Sequence, residues 1–275
     1  NAKDRNGWTA LSYASLNNAE LVKFLLEKGA NPNTLCKNNY TPLMVAVKKN
    51  NFEIAKILLE NSADVNTAAG QTAVETPLII AVANNNLKLA KFLINKGANV
   101  NVKTGITEGG TALLIAIKNN NQDLIKLLLN NGADANESGF SSDIALMTAA
   151  KNNDIKLAKI LLSKGADVNV KTDLLSGGTP LITAVKNNNT ELVKLFLDYN
   201  ADVNIMIAMH RRNPGGSALF FAIKNKNIPI MKMLLDKGAD VDAINYNRVT
   251  PFMLAEESRD KKIIDLIELY RHKKK

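Results

Sequence analysis

The stretch TPLMVAVKKNNFEIAKILLENSADVN, residues 41–66, contains two short apolar segments between clear start and stop signals. Thr41 suits a helix N-cap because its hydroxyl can accept a hydrogen bond from an unpaired backbone N–H, and Pro42 suits the first helical position. Asn50 and Asn51 separate the segments, and the second segment has apolar residues at helical spacing. The stretch therefore predicts two short helices joined by a tight turn.

The same start recurs along the chain at spacings of 32 to 38 residues. It reads Thr-Pro-Leu or Thr-Ala-Leu, with two degenerate copies, and a second marker related to Gly-Ala-Asp-Val-Asn follows each of the first seven starts by 20 or 21 residues. Two markers in constant phase indicate tandem repeats. The starts lie at Thr9, Thr41, Thr76, Thr111, Ile144, Thr179, Ser217 and Thr250.

The Thr-Pro-Leu-x-x-Ala start, the Leu-Leu-x-x-Gly-Ala-Asp-Val-Asn end and the base period of 33 residues resemble the ankyrin-repeat family. The resemblance covers essentially the whole chain. It implies an all-α fold, an ankyrin-repeat solenoid of helix-turn-helix units with projecting β-hairpin loops. We expect a single domain over residues 1–275 with about eight repeats, roughly 1–33, 34–66, 67–101, 102–136, 137–169, 170–204, 205–242 and 243–275.

Two regular departures from the family pattern leave the fold intact. Where the family usually has His after Thr-Pro-Leu, this chain has mostly apolar residues, and we expect Met44 and Met253 to pack in the core. The Gly between the two helices is usually Asn, as at Asn50, which tolerates a positive φ best among non-Gly residues. Asn200 and Ser62 take the place of the Gly that ends the second helix in other repeats.

Composition excludes several classes of protein. A hydrophobic fraction of 46% excludes a disordered chain, and no apolar run is long enough to span a membrane. The single cysteine, Cys36, excludes an intramolecular disulfide, and we expect it to be an exposed thiol. A net charge of +9 favours acidic partners, although the Lys excess is also consistent with compositional drift.

The sequence offers few parts for catalysis. The two histidines, His210 and His272, have no metal-ligand spacing, and no His or Asp accompanies Cys36 in the repeat frame. The Gly pairs that precede helix starts lack the Lys of a nucleotide-binding loop. We therefore expect no catalytic residue, no cofactor and no metal, and do not expect an enzyme.

The resemblance implies that recognition uses a concave groove formed by the first helices and by the loops before them, here called the fingers. Most repeats place Lys at the end of the first helix, which predicts a line of positive charge with a spacing of about 10 Å. Solubility alone would also explain these lysines. They are Lys48, Lys49, Lys118, Lys151, Lys186 and Lys224.

The fingers carry the second set of candidate binding residues. Insertions are confined to them, and the longest finger mixes apolar with basic residues of types enriched at interfaces. The alternative is that its apolar side chains fold back onto the neighbouring finger. Aromatic residues in other fingers would suit binding hot spots. The candidates are Met206, Ile207, Met209, His210, Arg211, Arg212, Trp8, Tyr40 and Tyr246.

Taken together, these features predict a non-catalytic protein–protein interaction scaffold, a monomer that binds an acidic protein partner through its concave groove and fingers. One alternative is a nucleic-acid-binding surface, which is disfavoured because acidic residues are interspersed among the lysines and no aromatic stacking platform alternates with them. Another is that these repeats are the targeting module of a longer enzyme.

Overall fold

A computed structural model describes residues 1–69, 74–104, 110–138, 144–172, 178–207 and 215–273. These residues form sixteen α-helices, which follow one another in pairs, and a single 3-10 turn at Lys37–Asn39. The chain divides into two compact units, unit 1 over Asn1–Asp143 and unit 2 over Ile144–Lys275. The predicted all-α architecture of helix-turn-helix pairs is confirmed. Each unit is described by itself.

In unit 1, every first helix packs against its own second helix, and the successive first helices of this unit pack against one another. The first helices are short and nearly all apolar because neighbours cover them on several sides. The pairs are α1 (Ala10–Ala14) with α2 (Ala19–Glu27), α3 (Pro42–Lys48) with α4 (Phe52–Glu60), α5 (Pro77–Ala83) with α6 (Leu87–Asn95), and α7 (Ala112–Lys118) with α8 (Gln122–Asn130).

Unit 2 has the same organisation, with the first helices side by side and the second helices packed behind them. Its core contains the largest fully buried side chains of this unit, Phe196 and Phe220. The pairs are α9 (Ala145–Lys151) with α10 (Ile155–Ser163), α11 (Pro180–Lys186) with α12 (Thr190–Asp198), α13 (Ala218–Lys224) with α14 (Ile228–Asp236), and α15 (Pro251–Glu257) with α16 (Lys261–Lys273).

The first helices begin where the Thr-Pro-Leu and Thr-Ala-Leu starts predict. Thr41 accepts a hydrogen bond from the backbone N–H of Met44, and the same cap recurs at the five other threonine starts. The degenerate starts Ile144 and Ser217 make no side-chain cap. Because a missing cap costs about 1 kcal/mol, packing must hold these two helix ends in place.

The turns inside the pairs use left-handed residues as predicted. Asn50 has φ of 56°, and the asparagines at the same place in the next four pairs have φ between 53° and 58°. After the second helices, Asn200 and Ser62 also have positive φ, 60° and 65°. Asn adopts this conformation at small cost, which explains why it can replace Gly in these turns. In the last two pairs, Lys226 and Arg259 take the left-handed conformation instead, each with φ of 53°.

Of three predicted burial states, the structure confirms one and contradicts two. Met44 is fully buried in α3, as expected for a core residue, but the expectation for Met253 is wrong because 51% of its surface is exposed in α15. Nothing in the described part of unit 2 packs over the side of α15 that carries Met253. The expectation that Cys36 is exposed is also wrong: its side chain is buried, with 6% of its surface exposed.

Asparagines at the ends of the Gly-Ala-Asp-Val-Asn markers connect successive loops. The side chain of Asn66 donates to the backbone oxygen of Gly97 at 3.0 Å and accepts from the backbone N–H of Asn99 at 2.8 Å. Each such link spans 29 to 36 residues and joins one repeat to the next. Equivalent links start from Asn33 and Asn101 in unit 1 and from Asn169 and Asn204 in unit 2.

The fingers close through isolated β-bridges rather than through longer ladders in the residues that the structure describes. The longest finger is pinned at its base by the pair Ile207 and Gly216. Gly216 has φ of 142°, and a Cβ atom there would lie 2.7 Å from Cγ of Phe220, so a larger residue would displace the ring. The other bridges join Lys3 with Thr9, Ala69 with Glu75, and Lys103 with Thr111.

Candidate functional site

The candidate binding residues lie on one kind of surface in each unit. We call it the inner face, and it comprises the exposed ends of the first helices together with the fingers that precede them. Because the first helices pack side by side, residues at the same register of successive helices become neighbours on this face. The predicted lysines occupy the last helical position, or the residue after it, and are all exposed.

In unit 1, four of the predicted residues line one cleft. Trp8, Tyr40, Lys48 and Lys49 surround a space of ≈ 290 Å³ between the first two fingers and α3. Trp8 and Tyr40 are half-buried, and both lysines are exposed. The structure therefore brings together residues that the sequence places 40 positions apart.

Tyr40 and Lys48 are held by contacts within unit 1. The Tyr40 hydroxyl donates to a carboxylate oxygen of Glu75 and accepts a hydrogen bond of 3.2 Å from Nζ of Lys48. Nζ of Lys48 also lies 4.8 Å from the centre of the Tyr40 ring, and this cation–π contact stabilises the charged form of Lys48. Burial raises the pKa of Tyr40, and the hydrogen bond to Tyr40 raises that of Lys48, so Lys48 stays charged.

The Trp8 ring rests on the side chain of Tyr13, with the ring centres 5.0 Å apart. The Tyr13 hydroxyl donates to Asp4 at 2.8 Å, and the backbone N–H of Trp8 donates to the same carboxylate at 2.8 Å. These hydrogen bonds, the backbone one first, lower the pKa of Asp4. The first finger thus presents Trp8 from a supported position.

In unit 2, the predicted lysines Lys186 and Lys224 both lie close to the ring of Phe221. Their Nζ atoms are 4.4 Å and 6.0 Å from the ring centre. Partial burial, followed by the nearby charge of Lys224, lowers the pKa of Lys186. In the described part of unit 2, no carboxylate forms an ion pair with either lysine or with Lys151. This is a concentration of positive charge around an aromatic ring.

Phe221 was not among the predicted site residues, although the sequence holds a signal for it. It stands four residues after the start Ser217, at a register that aliphatic residues or Thr occupy in most repeats. Tyr13 in the first repeat is the other aromatic residue at that register. Its position three residues before Lys224 on α13 places both side chains on the same helix face.

The remaining predicted residues are distributed as follows. Lys118 and Lys151 are exposed at the ends of α7 and α9, and Tyr246 has 62% of its surface exposed in the last finger. Met206 is half-buried. Ile207 is buried, with only 7% of its surface exposed, so the rest of the protein covers the Ile207 side chain. Met209, His210, Arg211 and Arg212 lie outside the described residues.

Comparison with known proteins places the chain in a family. A family model described as ankyrin repeats (3 copies) matches residues 1–69, 69–139 and 146–245, and the chain therefore belongs to the ankyrin-repeat family. Ankyrin repeats are generally protein–protein interaction modules and non-catalytic scaffolds. Among solved structures, the ankyrin repeat domain of human ASB11 is similar in fold, with a TM-score of 0.57 and 24% identity over 85% of this chain and 99% of that one.

No curated protein sequence matches the chain. None of the described helices combines the length and the apolar character needed to cross a membrane. Among the described residues, no three His, Cys, Asp or Glu side chains cluster in a way that could hold a metal ion.

Proposed function

We propose that this chain is a non-catalytic scaffold that, as a monomer, binds an acidic segment of a protein partner through its inner face. The observation that supports the proposal is the pair of inner-face lysines, Lys186 and Lys224, whose Nζ atoms lie 4.4 Å and 6.0 Å from the centre of the Phe221 ring. Neither of them, nor Lys151, forms an ion pair with a carboxylate among the described residues of unit 2.

Unpaired lysines in a row are suited to an external acidic surface. Positive charges on this chain attract a negatively charged partner as it approaches. They also fix the position in which that partner binds along the row. Neighbouring first helices lie about 10 Å apart, so three lysines span about 20 Å. An extended acidic segment of six or so residues would cover that length.

The experiment has two stages. Affinity capture from lysate with mass spectrometry identifies binding proteins, and their affinity is then measured for two triple variants with equal charge change. The inner-face variant is Lys151→Glu, Lys186→Glu and Lys224→Glu. The control reverses exposed lysines on the second helices, Lys156→Glu, Lys194→Glu and Lys232→Glu.

We expect the inner-face variant to bind the partner about tenfold more weakly or worse, and the control to bind it like the parent. Equal binding by parent and inner-face variant would overturn the proposal. A competition arm with single-stranded DNA tests the alternative function: displacement of the partner at low DNA concentration, with the same dependence on the inner-face lysines, would favour nucleic-acid binding.

A further inference from the structure

Unit 2 contains an open cleft between α13 and α15 that none of the predicted site residues except Lys224 touches. Its volume is ≈ 410 Å³, in the range of about 300–1,000 Å³ typical of ligand pockets. Phe220 and Ile223 form its buried floor, and the half-buried side chains of Val249 and Leu254 form its walls. The cleft thus offers apolar surface to a side chain that enters from outside.

The rim of this cleft is charged. Lys224 and Lys226 border it on the side of α13, and Glu257 borders it on the side of α15. Nζ of Lys224 also lies 6.0 Å from the centre of the Phe221 ring, and Nζ of Lys186 lies 4.4 Å from it. The apolar cleft and the pair of lysines are therefore adjacent sites that share one residue.

We propose that unit 2 recognises a short motif in an extended segment of the partner: an acidic residue that pairs with Lys186 and Lys224, and a bulky apolar residue seated in the cleft between α13 and α15. This inference rests on the proposed function and specifies its partner. Charge complementarity favours an acidic occupant because the two sites together have three lysines, Lys186, Lys224 and Lys226, and one carboxylate, Glu257.

The geometry also fixes the spacing of the motif. The acidic group binds between α11 and α13, and the apolar anchor binds between α13 and α15. The two positions differ by one helix spacing, about 8–10 Å. An extended chain rises about 3.3 Å per residue, so the acidic residue and the anchor are about three positions apart.

The test uses random peptides of about 12 residues, displayed on phage and selected on the immobilised full chain. We expect the enriched peptides to share Asp or Glu about three positions from Leu, Ile, Met, Phe or Trp. Enrichment without this pair of residues would overturn the inference. A representative peptide is then synthesised with a fluorescent label, and its Kd is measured by anisotropy.

Three variants separate the two sites. The double variant Lys186→Glu and Lys224→Glu reverses the charge and leaves the cleft open. Val249→Trp fills the cleft from the finger side. It leaves the lysines in place, as well as the two hydrogen bonds that the backbone of residue 249 makes with Asn245. Glu257→Trp fills it from α15, and because this change also removes a negative charge, weaker binding of an acidic peptide can come only from the filled cleft.

We expect the charge variant and both cleft-filling variants to weaken peptide binding about tenfold or more, with circular dichroism unchanged. The control Lys156→Glu with Lys194→Glu should bind like the parent. Loss of binding in the charge variant alone would overturn the two-site motif and leave the proposed function standing. Loss in the cleft-filling variants alone would remove the acidic residue from the motif. Unchanged binding in all variants would overturn both proposals for unit 2.

Discussion

The side-chain oxygen of Asn66 accepts a hydrogen bond of 2.8 Å from the backbone N–H of Asn99, 33 residues further along the chain. Both residues belong to Gly-Ala-Asp-Val-Asn type markers, Asn66 at the end of one and Asn99 inside the next. The marker residues that identify the repeats in the sequence therefore also form the hydrogen bonds that attach one loop to the next.

Replacing Asn66 should destabilise unit 1. Asn66→Ala leaves the N–H of Asn99 and the carbonyl of Gly97 without this partner, and we expect a loss of about 1–2 kcal/mol in the free energy of unfolding. Chemical denaturation measures it. Asn95→Ala, at an exposed position ending α6, is the control and should change stability by less than about 0.5 kcal/mol.

Core and surface positions should separate clearly in stability. We expect Leu161→Ala to cost about 2–5 kcal/mol by opening a cavity, and Met44→Asp to cost at least as much by burying a charge. Met253→Asp should cost less than about 1 kcal/mol because Met253 is half exposed, and Lys118→Ala should stay within about 0.5 kcal/mol. Similar melting temperatures for all four variants would show that the repeat frame is misassigned.

Reversal of the inner-face lysines should act on association more than on dissociation. Charges at an interface rim mainly steer encounter, so Lys151→Glu, Lys186→Glu and Lys224→Glu together should lower the association rate of an acidic partner and flatten its dependence on salt. Stopped-flow or surface-plasmon kinetics at several salt concentrations measure both. An unchanged salt dependence would place the partner elsewhere on the chain.

The lowered pKa of Lys186 predicts a rise of stability with pH. Between its folded pKa and the unfolded value near 10.4, the unfolded chain binds more protons than the folded one, so the free energy of unfolding increases with pH in that window. Lys186→Met removes the titrating group and should flatten this rise. It should also raise stability at neutral pH, by no more than about 1 kcal/mol since solvent screens the ammonium group.

Denaturation of parent and variant from about pH 8 to pH 10.4 measures the slopes. Lys186→Arg serves as a second comparison: its guanidinium stays charged throughout this range, so it too should lack the rise. A slope that survives in the Met variant would assign the titration to another group.

Cys36 should react slowly with thiol reagents in the folded protein. Its side chain is buried, and burial raises the pKa of the thiol, which lowers both access and the thiolate fraction. We expect labelling to be about tenfold or more slower than in denaturant. Equal rates under the two conditions would mean that the second finger opens readily.

Much of the fold can be predicted from the sequence because the signals that start and stop the helices are local. Thr caps, Pro at the first helical position and Asn at the left-handed turns each act within a few residues. Met253 and Cys36 were assigned wrongly because burial depends on what lies across the next repeat. Register alone placed Met253 in the core, yet α15 lacks cover on that side in the described structure.

The candidate site was only partly predictable for a related reason. The register of the first helices placed Lys186 and Lys224 on the inner face, but their contact with Phe221 depends on side-chain directions and on the spacing of two helices. The network of Tyr40, Lys48 and Glu75 joins a finger to the next one, and finger lengths vary along this chain. The residues that form such contacts are not separated by a constant number of positions, so a repeat pattern in the sequence cannot reveal them.

The asparagine links have a mechanical consequence. Within each unit, the asparagine links among the described residues reach only to the immediately following loop. A unit stretched by its ends in an optical trap should therefore yield in small successive steps, one loop attachment after another, at similar forces. When the force is released, each attachment should re-form on the neighbouring loop that is already folded. The unit should therefore extend and refold reversibly.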